Sequence, residues 1–273
     1  MKKDNPFRKF FTLLSVDFYK LFRSVSFYVI FGIYAGFSAL LVLLSLAVNK
    51  LTEAIEGDML IFGLDLTKAN SLFGNNISYG NLGLFLVVLF AIVLCSEFRD
   101  KTIRNKLAQG YSRTVVYFSS LTFTYIITAM AVVLGSVIIA VLGIPILGWA
   151  HSAYAVRYFF YELFALVPLV ALIHTLAFGS RSMGITLGVG LPVIMVLPSI
   201  MSILNMFVSE SSAVEWMTRL FFTSLEGYVP LVLAGGMGEE FSHLALNASL
   251  TYLLWTALFI GLGCLSFIKK DVK

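Results

Sequence analysis

Charged residues are scarce in this chain, and their scarcity argues against an ordinary soluble domain. Asp, Glu, Lys and Arg together make up 12% of the 273 residues, whereas 59% are hydrophobic and the mean hydropathy is +0.92. A soluble domain is about a quarter charged and less than half apolar. One globular core of this size cannot hide so much apolar surface, so lipid is the expected solvent.

Cysteine is rare in this chain, and the sequence patterns of several enzyme classes are missing. The two cysteines, Cys95 and Cys264, lie in separate apolar runs, which disfavours a disulfide framework. The three histidines stand alone, and neither H-E-x-x-H nor G-x-S-x-G occurs. These absences disfavour an intramembrane enzyme, so we expect no catalytic residue, metal or cofactor in this chain.

The phosphate loop G-x4-G-K-[ST] of nucleotide-binding proteins is absent as well. The chain is therefore not expected to bind ATP itself in the usual way. The formal charge of +4 is no sign of nucleic-acid binding, because the basic residues serve membrane topology.

Long apolar runs dominate what is present. Because lipid offers no hydrogen-bond partners, a membrane chain must form helices or a closed barrel, and continuous apolar runs indicate helices. A helix needs about 20 apolar residues to span the hydrocarbon core. Six stretches qualify as predicted spans, at about 27–48, 81–97, 117–144, 158–178, 185–207 and 245–268.

The basic residues orient these spans. With the N-terminus in the cytoplasm, all but four of the 19 Lys and Arg residues fall on cytoplasmic segments. The exceptions are Lys50, Lys68, Arg157 and Arg219. This bias agrees with the positive-inside rule. We therefore predict an all-α membrane protein, a single domain over 1–273, with six transmembrane helices and both termini in the cytoplasm.

Residues 7–24 differ from the spans that follow. Phe10, Leu14 and Phe18 recur at helical spacing, and basic residues lie elsewhere around the same helix. Such a pattern predicts an amphipathic helix in the cytoplasmic headgroup plane, with these three side chains as anchors. The alternative is a cytoplasmic extension of the first span.

Residues 208–244, before the last predicted span, are semi-apolar but repeatedly broken by glycine and proline. The apolar pieces are too short to cross a bilayer, which favours an extracellular re-entrant segment of half-inserted helices. A folded surface cap is the alternative.

The cytoplasmic link between the second and third predicted spans is the most informative segment. Residues 100–109 are predicted to form a short polar helix, which Gly110 ends as a left-handed cap. Ser112 is placed to cap the third span. Ile103 and Leu107 form one small apolar face, surrounded by Arg99, Arg104 and Lys106. The pattern fits a helix that seats in a partner protein's groove, or an ordinary charged loop that fixes topology.

Residues 97–113 read E-x3-K-T-I-R-N-K-L-A-x-G-x-S-R, which resembles the cytoplasmic loop of type-2 ABC transporter permeases. The motif covers about 17 residues, and the layout of the whole chain agrees with that family. The resemblance implies a permease subunit in a bacterial inner or cytoplasmic membrane, paired with a second copy or a sister permease. It also implies two copies of a separate ABC ATPase subunit, which bind the ATP and Mg.

By position, the resemblance makes Lys101–Gln109 the coupling helix within a coupling loop at 98–113, and 7–24 the connecting helix. Glu97 would lie at a hinge at the base of the membrane. The residues assigned to ATPase coupling are Glu97, Arg99, Lys101, Ile103, Arg104, Lys106, Leu107 and Gln109.

Two polar residues within predicted spans, His174 and Asn205, are candidates for a translocation path, because polar groups in the membrane usually face the bundle interior. For His174 a hydrogen bond within the bundle is the competing interpretation. The scarcity of intramembrane charge favours an amphipathic peptide or another hydrophobic cargo for export. The alternative function is an ion-coupled secondary transporter or a channel without an ATPase.

Overall fold

A computed structural model describes residues 6–55, 69–149, 153–206 and 239–269, and within these ranges every regular element is helical. The α-helices are α1 (Pro6–Leu21), α2 (Val25–Ile55), α3 (Ala69–Ile77), α4 (Leu84–Arg99), α5 (Thr102–Ala108), α6 (Arg113–Ile138), α7 (Ile144–Leu147), α8 (Ala153–Ser180), α9 (Met183–Met206) and α10 (Glu239–Lys269). Short π-helical turns at Tyr79–Gly83 and Ile139–Gly143 join α3 to α4 and α6 to α7.

Five stretches are long and apolar enough to cross a membrane, as the composition predicts. They are Val25–Leu51, Leu72–Arg99, Arg113–Leu147, Glu162–Ser180 and Leu250–Lys269. The fifth predicted span, 185–207, corresponds to α9, a helix of 24 residues whose described apolar stretch is Met183–Leu197. A sixth span and the orientation of the bundle remain predictions.

The second predicted span, 81–97, begins too late. Helical structure already starts at Ala69, and one candidate span runs from Leu72 to Arg99. Asn76 lies before the predicted start of this span, yet it is fully buried. Its amide is satisfied inside the protein, where Ser38 Oγ donates to Asn76 Oδ1 over 2.9 Å and Asn76 Nδ2 donates to Tyr34 Oη over 2.8 Å.

Helix α8 lies at the centre of the packing and contacts α3, α4, α6, α9 and α10. The core around it is rich in aromatic side chains, and Phe90, Tyr117, Phe178 and Phe267 are fully buried. Large apolar side chains on the outer faces of α2 and α10 are exposed, as in a protein solvated by lipid.

Most of the predicted re-entrant segment, 208–244, lies outside the described residues, and only its end enters α10. The side chain of Asn205 also lies outside the described part of the chain.

Candidate functional site

The short polar helix predicted at 100–109 is present as α5, and a residue in the left-handed conformation flanks each of its ends. Lys101 adopts the left-handed conformation just before the helix, with φ 57°. At the other end Gly110 has φ 85° and donates to Leu107 O over 3.0 Å, while Tyr111 N donates to Lys106 O over 3.3 Å. This pair of bonds is a Schellman motif, so the prediction for Gly110 is confirmed.

Ser112 then begins α6, as predicted. Its hydroxyl accepts a hydrogen bond from Val115 N over 3.3 Å, which satisfies one of the free N–H groups at the helix start. Helix α5, at Thr102–Ala108, is slightly shorter than the predicted 100–109.

A buried ion-pair cluster joins α5 to two other helices. Lys106 Nζ lies 2.7 Å from Asp17 Oδ1 on α1 and 3.1 Å from Glu97 Oε2 at the end of α4. The Lys106 and Asp17 side chains are only 7% and 3% exposed. Since removing one member would leave an uncompensated buried charge, the cluster fixes the three helices relative to one another.

The cluster shifts the proton affinities of its members. Burial and the neighbouring charge of Glu97 raise the pKa of Asp17 to about 6, although Lys106 opposes that shift. Burial alone would lower the pKa of Lys106, but the carboxylates of Glu97 and Asp17 outweigh burial and raise it. Lys106 therefore stays charged at neutral pH and holds two carboxylates.

Further contacts strengthen the link between α1 and the base of the helix bundle. Lys20 Nζ donates to Thr102 Oγ1 over 3.2 Å, which ties α1 to the first residue of α5. The rings of Phe18 and Phe123 pack edge to face at 5.1 Å, which ties α1 to α6. Helix α1 thus packs on the protein as well as facing outward.

The apolar face of α5 does not point outward, so that part of the sequence prediction is wrong. Ile103 is 1% exposed and belongs to the main core, and Leu107 is half-buried against that core. Lys106, predicted to lie on a basic rim, is buried in the cluster. A short amphipathic helix buries its apolar side wherever apolar surface is nearest, and here that surface is the chain's own core.

The outward side of this segment is polar. From Arg99 to Gly110, its exposed members are Arg99, Asp100, Lys101, Arg104, Asn105, Ala108, Gln109 and Gly110. Of the eight residues predicted to couple to an ATPase, Arg99, Lys101, Arg104 and Gln109 are therefore available to a partner. Glu97, Ile103, Lys106 and Leu107 are engaged within the chain.

The predicted anchors of α1 do not all face away from the protein. Leu14 and Phe18 are half-buried against the main core, and Phe10 is also half-buried. The more exposed apolar side chains on α1 and just after it are Phe7, Phe11, Val16, Tyr19 and Phe22. Helical spacing allowed two apolar stripes on α1, and the structure uses the one containing Leu14 and Phe18 for internal packing.

His174 lies in an aromatic environment inside the bundle. It is fully buried, its ring stacks on Phe178 at 4.3 Å, and Tyr117 meets it edge to face at 4.8 Å. Neither ring nitrogen has a hydrogen-bond partner among the described residues, so these residues do not supply the bundle hydrogen bond that was the competing interpretation. Contact of His174 with cargo stays a prediction.

Among the residues that the structure describes, no group of three or more His, Cys, Asp or Glu side chains is arranged to hold a metal ion. Comparison with protein-family models gives no match, and comparison with curated proteins gives none either. The functional interpretation therefore rests on the sequence motif and on the geometry of α1, α4 and α5.

Proposed function

We propose that the chain is the transmembrane subunit of an ATP-driven ABC exporter, a permease without catalytic residues of its own. A separate ATPase subunit, present in two copies, binds ATP and Mg and docks on residues 98–113. A second permease copy or a sister permease completes the transporter. The cargo is an amphipathic peptide or another hydrophobic molecule that leaves the cell across the cytoplasmic membrane.

The observation that supports this proposal best is the buried link from Lys106 to Asp17 and Glu97. A loop that only sets topology needs exposed positive charge and no buried ion pair. Here a seven-residue helix at the base of the bundle is held to α1 and to the end of the candidate span Leu72–Arg99. A force applied to α5 is therefore carried directly to a membrane helix.

A partner protein can apply such a force only through an exposed surface, and the outward side of α5 provides one. Arg104 and Gln109 point away from the core, and Lys101 lies beside them. These side chains offer cationic and amide donors to acidic groups or backbone carbonyls on a partner. In this proposal the polar side of α5 binds the ATPase, and the apolar side transmits the movement.

Orientation is tested with reporters. A reporter fused after Lys273 or inserted near Lys101 is expected in the cytoplasm, and one inserted near Asp65 outside, because the basic residues bias the topology. Reversal at any of these positions would contradict both the orientation and the docking proposal.

Docking is tested by capture of the tagged full chain from mildly solubilised membranes of its own cells. We expect a polypeptide with a phosphate loop to co-purify, together with ATP hydrolysis. The double charge reversal K101E and R104E should reduce both at least tenfold, since two interfacial charge pairs become repulsive. Lys269→Glu, an exposed lysine at the end of α10, is the matched control and should retain both.

An equal yield of ATPase with the double variant and the control would contradict docking on α5. Transport by the purified chain without any ATPase would instead support the ion-coupled transporter or channel.

A further inference from the structure

A cavity of about 390 Å³ lies where α1 turns into α2, against the end of α4 and the start of α5. This volume is within the range of pockets that hold small ligands. The cavity is distinct from the exposed side of α5, and the proposed function assigns no role to it. The residues that line the cavity indicate which class of ligand it can bind.

Positively and negatively charged side chains both line the cavity. Asp17, Glu97 and Asp100 contribute carboxylates, and Lys20 and Arg99 contribute cations. Arg99 Nε pairs with Asp100 Oδ1 over 3.1 Å, but both side chains are exposed, so this pair is weak and leaves the second carboxylate oxygen of Asp100 for a ligand. Lys106 lies behind the wall and pairs with two of these carboxylates, so the positive and negative charges are equal in number. A ligand with a large net charge of either sign gains little here, whereas a ligand that carries both charges meets a partner for each.

Hydrogen-bond donors for an anionic group cluster on the α1–α2 side. Lys20 Nζ uses one of its three donors on Thr102, and the others remain for a ligand. Ser24 and Ser26 also line the cavity, and neither of their hydroxyls makes a hydrogen bond to another described residue. An ammonium and two hydroxyls together form a suitable set of donors for a phosphate.

Much of the remaining wall is apolar. Ile92 and Val93 line it from α4 and Phe123 from α6, and both helices belong to candidate membrane spans. The cavity therefore crosses the boundary between the polar base of the protein and its apolar spans. A free polar metabolite makes no use of such a wall, whereas the glycerol and first acyl carbons of a lipid do.

We propose that this cavity binds the headgroup of a phospholipid with a primary ammonium, phosphatidylethanolamine. The phosphate meets Lys20, Ser24 and Ser26, and the ammonium meets Glu97 and Asp100. A choline headgroup has the same charges but no N–H to donate to the carboxylates, and a glycerol headgroup lacks the cation. This inference is independent of the proposed transport function, because it requires only that the chain lies in a membrane.

The test is native mass spectrometry of the delipidated full chain, titrated with phosphatidylethanolamine, phosphatidylcholine and phosphatidylglycerol of identical acyl chains. We expect phosphatidylethanolamine to bind about tenfold more tightly than either of the others, the effect of one charge-assisted hydrogen bond. Lys20→Gln and Asp100→Asn should each remove most of this preference. Lys9→Gln, a lysine on α1 that does not line the cavity, is the matched control and should keep it.

Equal binding of phosphatidylethanolamine and phosphatidylcholine would overturn the proposal, and so would stronger binding of phosphatidylglycerol. An unchanged preference in both Lys20→Gln and Asp100→Asn would place the lipid elsewhere. Soluble O-phosphoethanolamine that binds as tightly as the lipid would overturn the assignment to a lipid. None of these readouts involves an ATPase, so failure here and failure of the proposed function are distinguishable.

Discussion

Two buried polar clusters hold helices of this molecule together, one with charged side chains and the other with neutral ones. At the base of the bundle, Lys106 lies between Asp17 and Glu97 and holds charge against charge. Within the spans, Tyr34, Ser38 and Asn76 form a neutral cluster that joins α2 to α3 through hydrogen bonds alone.

The difference follows from the solvent around each cluster. A charged side chain in the middle of a bilayer has a high free-energy cost, so a polar contact between spans is made with neutral groups. Near the aqueous boundary the cost is lower, and an ion pair can join a surface helix to the bundle. The charged cluster thus joins separate elements at the base, whereas the neutral cluster sets how closely two spans approach.

The largest expected effect comes from breaking the charged cluster. Lys106→Met leaves Asp17 and Glu97 facing each other without a cation, and removal of one partner from a buried ion pair costs about 3 to 5 kcal/mol. We expect a clear drop in the thermal unfolding midpoint of the chain in detergent. The double variant D17N/K106M, in which only the partly exposed Glu97 remains charged, should recover much of that loss. A double variant no more stable than Lys106→Met would show that the cluster is not held by charge.

A smaller effect is expected from the neutral cluster. A Cβ added at Gly135 of α6 would collide with Asn76 Nδ2 and Tyr34 Oη. Gly135→Ala should therefore lower stability by about 1 to 3 kcal/mol, the usual cost of overpacking. Gly32→Ala is the matched control, because no atom lies within 4 Å of the added Cβ there. Equal unfolding midpoints for the two variants would contradict the described approach of α6 to the cluster.

The smallest expected effect is a pH dependence of stability, which the charged cluster should show and the neutral cluster should not. Since the folded pKa of Asp17 is about 6 and its ordinary value is 3.8, the folded chain binds this proton more tightly than the unfolded chain. The contribution of Asp17 to stability is therefore greatest below pH 3.8 and declines as pH rises towards 6. Infrared spectra should show a protonated carboxyl band that appears as pH falls through about 6 and is absent in Asp17→Asn. An identical band in that variant would assign it to another carboxyl group.

Local sequence predicted those features that depend on near neighbours. The long apolar runs indicated helices, and Gly110 and Ser112 end one helix and begin the next as their residue types require. Each of these predictions involves residues within about one helical turn, where spacing alone carries the information.

Features that depend on distant neighbours were not predictable in the same way. Periodicity identified an apolar side on α5 but not what that side would contact, and Ile103 joins the chain's own core. Lys106 pairs with Asp17, 89 residues away, and no local pattern indicates that pairing. The second span was predicted to begin only at residue 81, because the partners that let Asn76 be buried, Tyr34 and Ser38, lie on another helix.

The central claim, that the outward side of α5 contacts an ATPase, is tested most directly by photocrosslinking in intact cells. A photoreactive residue replaces Arg104 or Gln109, both exposed, and in a control replaces Leu254, an exposed apolar residue of α10. The proposal predicts that positions 104 and 109 crosslink to a polypeptide whose peptides include a phosphate loop, and that position 254 does not. Chains that are inserted and folded normally but give no such adduct from either position, or as much from position 254, would contradict it.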